Sequence, residues 1–448
     1  KRMKHHYIFT YLIMAAVLLA SLAPASGQRA VTVSEAIDSS LAFNPQLLMT
    51  DAKLDASEAT VRQATGSLLP QLYATAGYTR YEEPNIVTPI HEQGVFPPLD
   101  DEIYEANLQL SIPIFDGGRR LTRRKAASAD VDESRATDDL VRNEILQQVA
   151  EIFLYARRAE DQSALINKRL TSLYRQLHDL QSLEKEGRAS KGDLALVSSL
   201  IASLKSDSSA IARSRHQLGI RLSALMGTDD EVTPAISENG MDLEALIQSY
   251  PLTDFEADGQ SGPSVRVSEA RLKKAGAYQS LASRELWPEI SGFGVYSYRT
   301  GSDWDPVGEW TVGIKVSLPL FTGGSRISNI EEAASLRRAS ENALRSAKLE
   351  QQSILQAAYN DYISAANRRD YLSTAVKEKL ISVQAHLDLY EAGRIPLRDL
   401  HVQETELLQL QIEKNAQQYE ARLALLRYEA AAGTLTQSKV ISLTGGVQ

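Results

Sequence analysis

Apolar and polar residues alternate one for one along 103–114. Tyr104, Ala106, Leu108, Leu110, Ile112 and Ile114 are interleaved with Glu105, Asn107, Gln109 and Ser111. The stretch 309–320 does the same, with Trp310, Val312, Ile314, Val316, Leu318 and Leu320 set among Glu309, Thr311, Gly313, Lys315 and Ser317. A period of two over about ten residues predicts a strand with one face covered. It is equally the length and pattern of a strand that crosses a membrane in a barrel. Weaker strands are predicted over 71–81 and 290–299, rich in Tyr, Thr, Ser, Gly and Ala, where Tyr73, Tyr78, Tyr81, Tyr296 and Tyr298 suit the lipid headgroup level. A soluble antiparallel sheet with one face on a core carries the same signature. Four strands do not close a membrane barrel, because the smallest have about eight and an unpaired edge in lipid costs several kcal/mol per group. Strands that span would have to be pooled between chains; three chains of four strands supply about twelve.

A second pattern fills most of the chain. No proline occurs between Gly118 and Lys185 or between Gly324 and Gly393, and helix formers dominate both stretches. Each predicts a helix of roughly 100 Å at about 1.5 Å per residue. Shorter helices are predicted over 192–226 and 397–432, and before the strands over 33–68 and 264–286. Val197, Leu204, Ile211, Leu218 and Leu225 recur every seventh residue, as do Ile166, Leu173 and Leu180 with Leu170 and Leu177 between them. Such spacing predicts a left-handed coiled-coil seam. The other faces carry Arg, Lys, Glu, Gln, Asp and Ser, which fits either an outer solvated face or the wall of a wet channel. The fold class is therefore mainly α, long coiled-coil helices with four strands per chain.

The chain states this programme twice. "IPIFDGGRR" (112–120) returns as "LPLFTGGSR" (318–326), with Gly117 and Gly323 offset by 206 residues. "EGRASKGDL" (186–194) returns as "AGRIPLRDL" (392–400) at the same offset, and "RLSALMGT" (221–228) as "RYEAAAGT" (427–434). Upstream, "LLPQL" (68–72) matches "LWPEI" (286–290) at an offset of 218, so the first copy is longer there; the proline-rich stretch 84–102 is predicted as the loop that absorbs the difference. Pro113 and Pro319 cannot donate to a ladder and belong near strand ends. Gly117, Gly118, Gly323 and Gly324 permit the backbone angles that turn a strand into a helix. Gly187 and Gly393 end the long helices; Pro396 suits the start of the next one. Asp193 and Asp399 follow, either as acids favoured near a helix N-terminus or as groups lining that tip. The resulting division is 1–27, a leader; 28–228, the first copy; 229–263, an irregular connection with one short helix near 242–249; 264–436, the second copy; and 437–448, a tail.

Composition removes several function classes. The leader reading rests on Lys1, Arg2 and Lys4 ahead of the apolar run 11–22 and the small residues of "SLAPASGQ", with cleavage expected after Ala25 or Gly27. No later run approaches about 18 consecutive apolar residues, so no helical anchor is expected. There is no cysteine, which excludes disulfides, thiolate chemistry and a lipid-modified cysteine. A net charge of −9 disfavours nucleic acid as a partner. "FDGGRR" lacks the lysine and hydroxyl of a phosphate-binding loop. The histidines beyond the leader, His91, His178, His216, His386 and His401, are scattered, giving no pattern for a metal or a triad. Neither an enzyme nor a cofactor is expected.

The order, spacing and duplication of these motifs resemble the TolC-like outer membrane efflux proteins of Gram-negative bacteria, over about 31–436. The resemblance implies a homotrimer whose twelve strands form one outer membrane barrel and whose helices form a periplasmic tunnel. It implies a periplasmic adaptor and an inner-membrane pump or ABC transporter as partners, and a passive export duct for small molecules or proteins. It places Asp399 at the first of two constriction carboxylates, with Val402 where a second acid would fall. Asp193, Arg394 and Arg398 become further candidates for the closed tip, and Gly187, Arg188, Gly393 and Arg394 match tip positions that face the adaptor. The rival reading is a soluble periplasmic coiled-coil adaptor or spacer, which would share the heptads but has no use for two lipid-type hairpins.

Overall fold

A computed structural model describes residues 29–90, 93–236 and 261–445. The expected leader and the short helix near 242–249 lie outside the described residues. In chain order the strands are β1 (Arg29–Val31), β2 (Gln71–Ile86), β3 (Leu99–Phe115), β4 (Val232–Pro234), β5 (Glu289–Thr300) and β6 (Val307–Ser317). The helices are α1 (Val33–Phe43), α2 (Pro45–Gly66), α3 (Arg119–Lys185), α4 (Lys191–Met226), α5 (Pro263–Ser283), α6 (Ser325–Glu391), α7 (Leu397–Ala432) and α8 (Gln437–Thr444). The described residues form two compact units, and each unit draws on both copies of the repeat.

One unit comprises 49–140 and 263–350. Its centre is an antiparallel sheet in the order β2-β3-β5-β6. The two hairpins have equivalent registers: Gln71 faces Ser111 in the first copy, and Glu289 faces Ser317 in the second. Those four residues are related by the two sequence offsets, so the duplication holds to the residue. The loop expected over 84–102 is shorter than its composition suggested. β2 runs on to Ile86 and β3 starts at Leu99, with Asn85–Asp100 and Ile86–Leu99 paired beyond an irregularity at 80–85. Pro113 sits at a break in register two residues before the end of β3, and Pro319 lies past the end of β6, so Leu318 and Leu320 fall outside the strand predicted for them.

The other unit comprises the described residues of 1–48, 141–262 and 351–448. Its main cluster joins Ile37, Val149, Phe153 and Leu222 of the first copy to Tyr362, Leu423 and Leu426 of the second. Three expectations change here. The helix expected over 33–68 is broken at Asn44, because Pro45 keeps the residue before it out of the helical region. Asn44 then caps α2, its Oδ1 accepting from the Gln46 and Leu47 amides at 2.9 and 3.3 Å. The connection read as irregular contributes β4, paired in parallel with β1. The expected tail is instead helix α8. Thr436 caps it, Val440 and Leu443 are fully buried in the main cluster, and Lys439 bonds Glu429 at 2.6 Å. α4 is long and apolar enough to cross a membrane by length and composition; its Val197, Ile201 and Ile211 are committed to buried clusters with other helices.

Candidate functional site

Two kinds of place carry the sequence-predicted site residues: the strand-to-helix turns and the helix tips. At the first turn Gly117 and Gly118 have φ of 63° and 79°, and at the second Gly323 and Gly324 have 63° and 84°. Both pairs occupy the left-handed region that side chains resist. Gly118 and Gly324 then start the helices, their carbonyls accepting from Thr122 and Ser328 at 2.9 and 3.1 Å. The backbones match, but the surroundings do not. A Cβ on Gly117 would collide with Trp287 of the "LWPEI" lead-in, whereas nothing stands within 4 Å of a Cβ on Gly323. Around the first turn, Arg284 donates to the Gly117 carbonyl at 2.8 Å, and Arg119 and Arg120 each reach Glu289 at 3.0 Å. Asp116 accepts the Arg120 amide at 2.9 Å. Around the second turn, Arg326 bonds the Glu285 carbonyl, and Asn329 bonds the Glu285 carboxylate at 3.2 Å.

At the tips, both long helices end in the same hydrogen-bonded motif. Gly187 (φ 74°) donates to the Glu184 carbonyl and Arg188 to that of Leu183, both at 2.8 Å. Gly393 (φ 68°) donates to Tyr390 and Arg394 to Leu389, both at 2.9 Å. This paired 5→2 and 6→1 bonding satisfies carbonyls left over at a helix end, and the left-handed glycine makes it possible. The next helix starts differently in each copy. Ser190 caps α4: its Oγ accepts the Asp193 amide at 3.0 Å and donates to the Asp193 carboxylate at 2.8 Å. Arg188 pairs with Glu186 at 3.3 Å. In the second copy Pro396 stands at the cap without a side chain to offer. Arg394, Arg398 and Asp399 are exposed and have no side-chain partner among the described residues. Val402 is exposed as well.

Beneath the tips Leu173, Leu180, Val197 and Ile201 of the first copy pack with Leu397 and Leu400 of the second, and Tyr390 packs against them. Burial, and then the charge of Asp193, pushes the Tyr390 hydroxyl above the usual phenol range. One polar cluster was missed by sequence. His401 is buried two residues after Asp399; its Nδ1 lies 3.0 Å from both Glu404 and Arg169, and Arg169 pairs with Glu404 at 2.7 Å. Nδ1 cannot both accept from Arg169 and donate to Glu404, so its tautomer selects one partner. Burial raises the Glu404 carboxyl, but hydrogen bonds from His401 and Arg169 and the Arg169 charge outweigh it and hold that carboxyl below its ordinary value. Arg169 and His401 are 232 residues apart, and no local spacing announces their contact.

Residues 36–228 and 259–434 match the family described as outer membrane efflux protein. The outer membrane protein TolC of Vibrio cholerae serotype O1 is 23% identical over 431 residues, covering 90% of this chain and 91% of that one. The solved structure of VceC from Vibrio cholerae superposes with a TM-score of 0.75 at 18% identity, over 90% of this chain and 96% of VceC. That of MtrE from Neisseria gonorrhoeae, in its open state, gives 0.74 at 20% identity, over 90% and 91%. The structural likenesses establish the fold. The family match establishes the compartment, the Gram-negative outer membrane, and removes the reading as a soluble periplasmic adaptor. The chain belongs to the outer membrane efflux protein family.

Proposed function

We propose that this chain is one third of the outer membrane channel of a tripartite export system, a passive duct supplied with energy by its partners. The observation that carries the reading is the sheet β2-β3-β5-β6, whose outer strands are each paired on one side only. In a bilayer an open edge of unbonded amides and carbonyls is not tolerated, so closure by further copies is required. Three copies give the twelve strands expected of one barrel. Apolar residues on even positions of β3 and β6 then face lipid, with Leu108, Trp310, Val312 and Ile314 exposed in the single chain. The mass of the detergent-extracted protein tests this directly: three chains are expected, and a single chain stable without detergent would overturn it.

The gate is proposed at the second-copy tip. Arg394, Arg398 and Asp399 have no charge partner among the described residues and are available to bond neighbouring helices in the closed state, while Asp193 is engaged by Ser190. A single ring of Asp399 is expected, since Val402 supplies no second acid. A periplasmic adaptor is the proposed partner at Gly187, Arg188, Gly393 and Arg394, opening the tip by binding the open state better than the closed one, and an inner-membrane pump is the proposed further partner of the system. Asp399→Ala is expected to change conductance in planar bilayers, whereas Asp193→Ala leaves it near that of the parent. Unchanged conductance in Asp399→Ala would remove Asp399 from the gate, and an equal change in Asp193→Ala would add Asp193 to it.

A further inference from the structure

The internal duplication makes one contact inside the chain that it cannot make twice. The first-copy turn, Phe115–Arg120, receives the second-copy lead-in, Trp287–Glu289. Phe115 meets Trp287 edge-on at 6.4 Å between ring centroids, and Gly117 lies where only a glycine fits beside that tryptophan. The second-copy turn has the same phrase and the same glycine angles, but among the described residues no lead-in lies beside its glycines, and only Arg326 at its end is engaged, by Glu285. Leu320 is 88% and Phe321 89% exposed, against 42% for Phe115, and the space beside Gly323 is empty. At the other edge of the sheet the first-copy lead-in is also exposed, Leu69 at 61% against 51% for its counterpart Trp287, which lies against a turn.

From this we infer that the turn Leu320–Arg326 is the socket for Leu69–Gln71 of a second copy of this chain, and that this seam, unlike its counterpart within the chain, closes without an ion pair. The inference rests on the reading of the chain as a pooled barrel and goes further by fixing the register of the seam. Within the chain β3 meets β5 with Tyr104 opposite Thr300 and Ser111 opposite Phe293. Applying the two repeat offsets, β6 meets the next copy's β2 with Trp310 opposite Glu82 and Ser317 opposite Thr75. This register joins even positions to even positions. It therefore keeps Trp310, Val312 and Ile314 on the same face as Leu72, Ala74, Ala76 and Tyr78, the face that β2 already shares with Tyr104, Ala106 and Leu108. A slip of one residue would put apolar side chains on opposite faces.

The missing clamp follows from the same correspondence. Arg119 and Arg120 hold Glu289 within the chain. Their counterparts are Ser325 and Arg326, and the counterpart of Glu289 is Gln71. One arginine remains, and the acid is gone. In the single chain Arg326 turns back to the carbonyl of Glu285 in its own copy. The seam is held by strand bonds and by Leu69 over Gly323, with a neutral amide in reach of Arg326.

The chain has no cysteine, so an introduced pair reports without background. A variant carrying both Leu69→Cys and Phe321→Cys, treated in membranes with a short bis-maleimide, is expected to give dimer and trimer bands on a denaturing gel. The matching pair Phe115→Cys and Trp287→Cys is expected to link within the chain and leave only monomer. If the Leu69/Phe321 variant has the mass of three chains but gives monomer bands alone, the seam is wrong and the pooled barrel stands. If its mass is that of one chain, both fail. Gln71→Glu supplies the missing acid and is expected to raise the temperature at which the oligomer dissociates, with the gain abolished by adding Arg326→Gln. No gain, or a gain that survives loss of Arg326, would overturn the account of the clamp.

Discussion

The two helix tips share a backbone and differ in what their charges do. Gly187 and Gly393 close their helices with the same pair of hydrogen bonds at nearly the same φ. Beyond the glycine the first copy consumes its polar groups locally, Ser190 with Asp193 and Arg188 with Glu186. The second copy replaces the capping serine with Pro396 and leaves Arg394, Arg398 and Asp399 facing solvent. A duplicated motif has kept its fold where the backbone demands it and diverged where only side chains decide. The strand-to-helix turns teach the same lesson: identical glycine angles, one turn covered by Trp287 and one bare.

The strongest perturbation of this comparison lies under the second tip. Glu404→Ala leaves Arg169 and the buried His401 without their carboxylate, and a loss on the order of 3 kcal/mol is expected in thermal or denaturant unfolding. A loss under about 1 kcal/mol would mean the cluster is solvated in the assembled protein. Since the folded carboxyl titrates below its ordinary value, its contribution is present above about pH 4.3, the ordinary glutamate value, and disappears as pH falls through the folded value. The parent should therefore lose stability more steeply than Glu404→Gln on acidification below about pH 5.

Next come the tip glycines. Gly187→Ala and Gly393→Ala each force a side chain into the left-handed region and are expected to cost about 1–2 kcal/mol, read as faster amide exchange at Arg188 and Arg394. Equal exchange in parent and variants would show that assembly, not the turn, orders the tips. The smallest effects separate the copies most cleanly. Ser190→Ala removes a cap and is expected to cost about 1 kcal/mol, whereas Pro396→Ala removes no capping bond and is expected to change stability by no more than about 0.5 kcal/mol. Comparable losses from both would mean that the two tips are capped to the same extent.

Much of this protein was legible without coordinates because its signals are periodic and repeated. Period two located the hairpins, period seven the seams, and the offsets of 206 and 218 aligned the copies closely enough that their hairpin registers superimpose. The turn glycines were legible because positive φ leaves few alternatives. Breaks and ends were less so. Pro45 divided a helix that its apolar pattern joins, and α8 looked like a tail because eight residues carry too little pattern to reveal that Val440 and Leu443 are buried.

The sequence by itself determined the two hairpins, the long helices and the glycine turns between them, and that these occur twice, since those are set by local sterics and by the spacing of apolar residues. Only the tertiary structure decided which equivalent residues have partners. It set Glu289 against Arg119 and Arg120, put His401 between Arg169 and Glu404, and left Arg326, Phe321 and Asp399 unanswered by the counterparts that serve the first copy. The physical reason is that such contacts join residues far apart in the chain, and their energies depend on burial and on the neighbour present, neither of which a local pattern records.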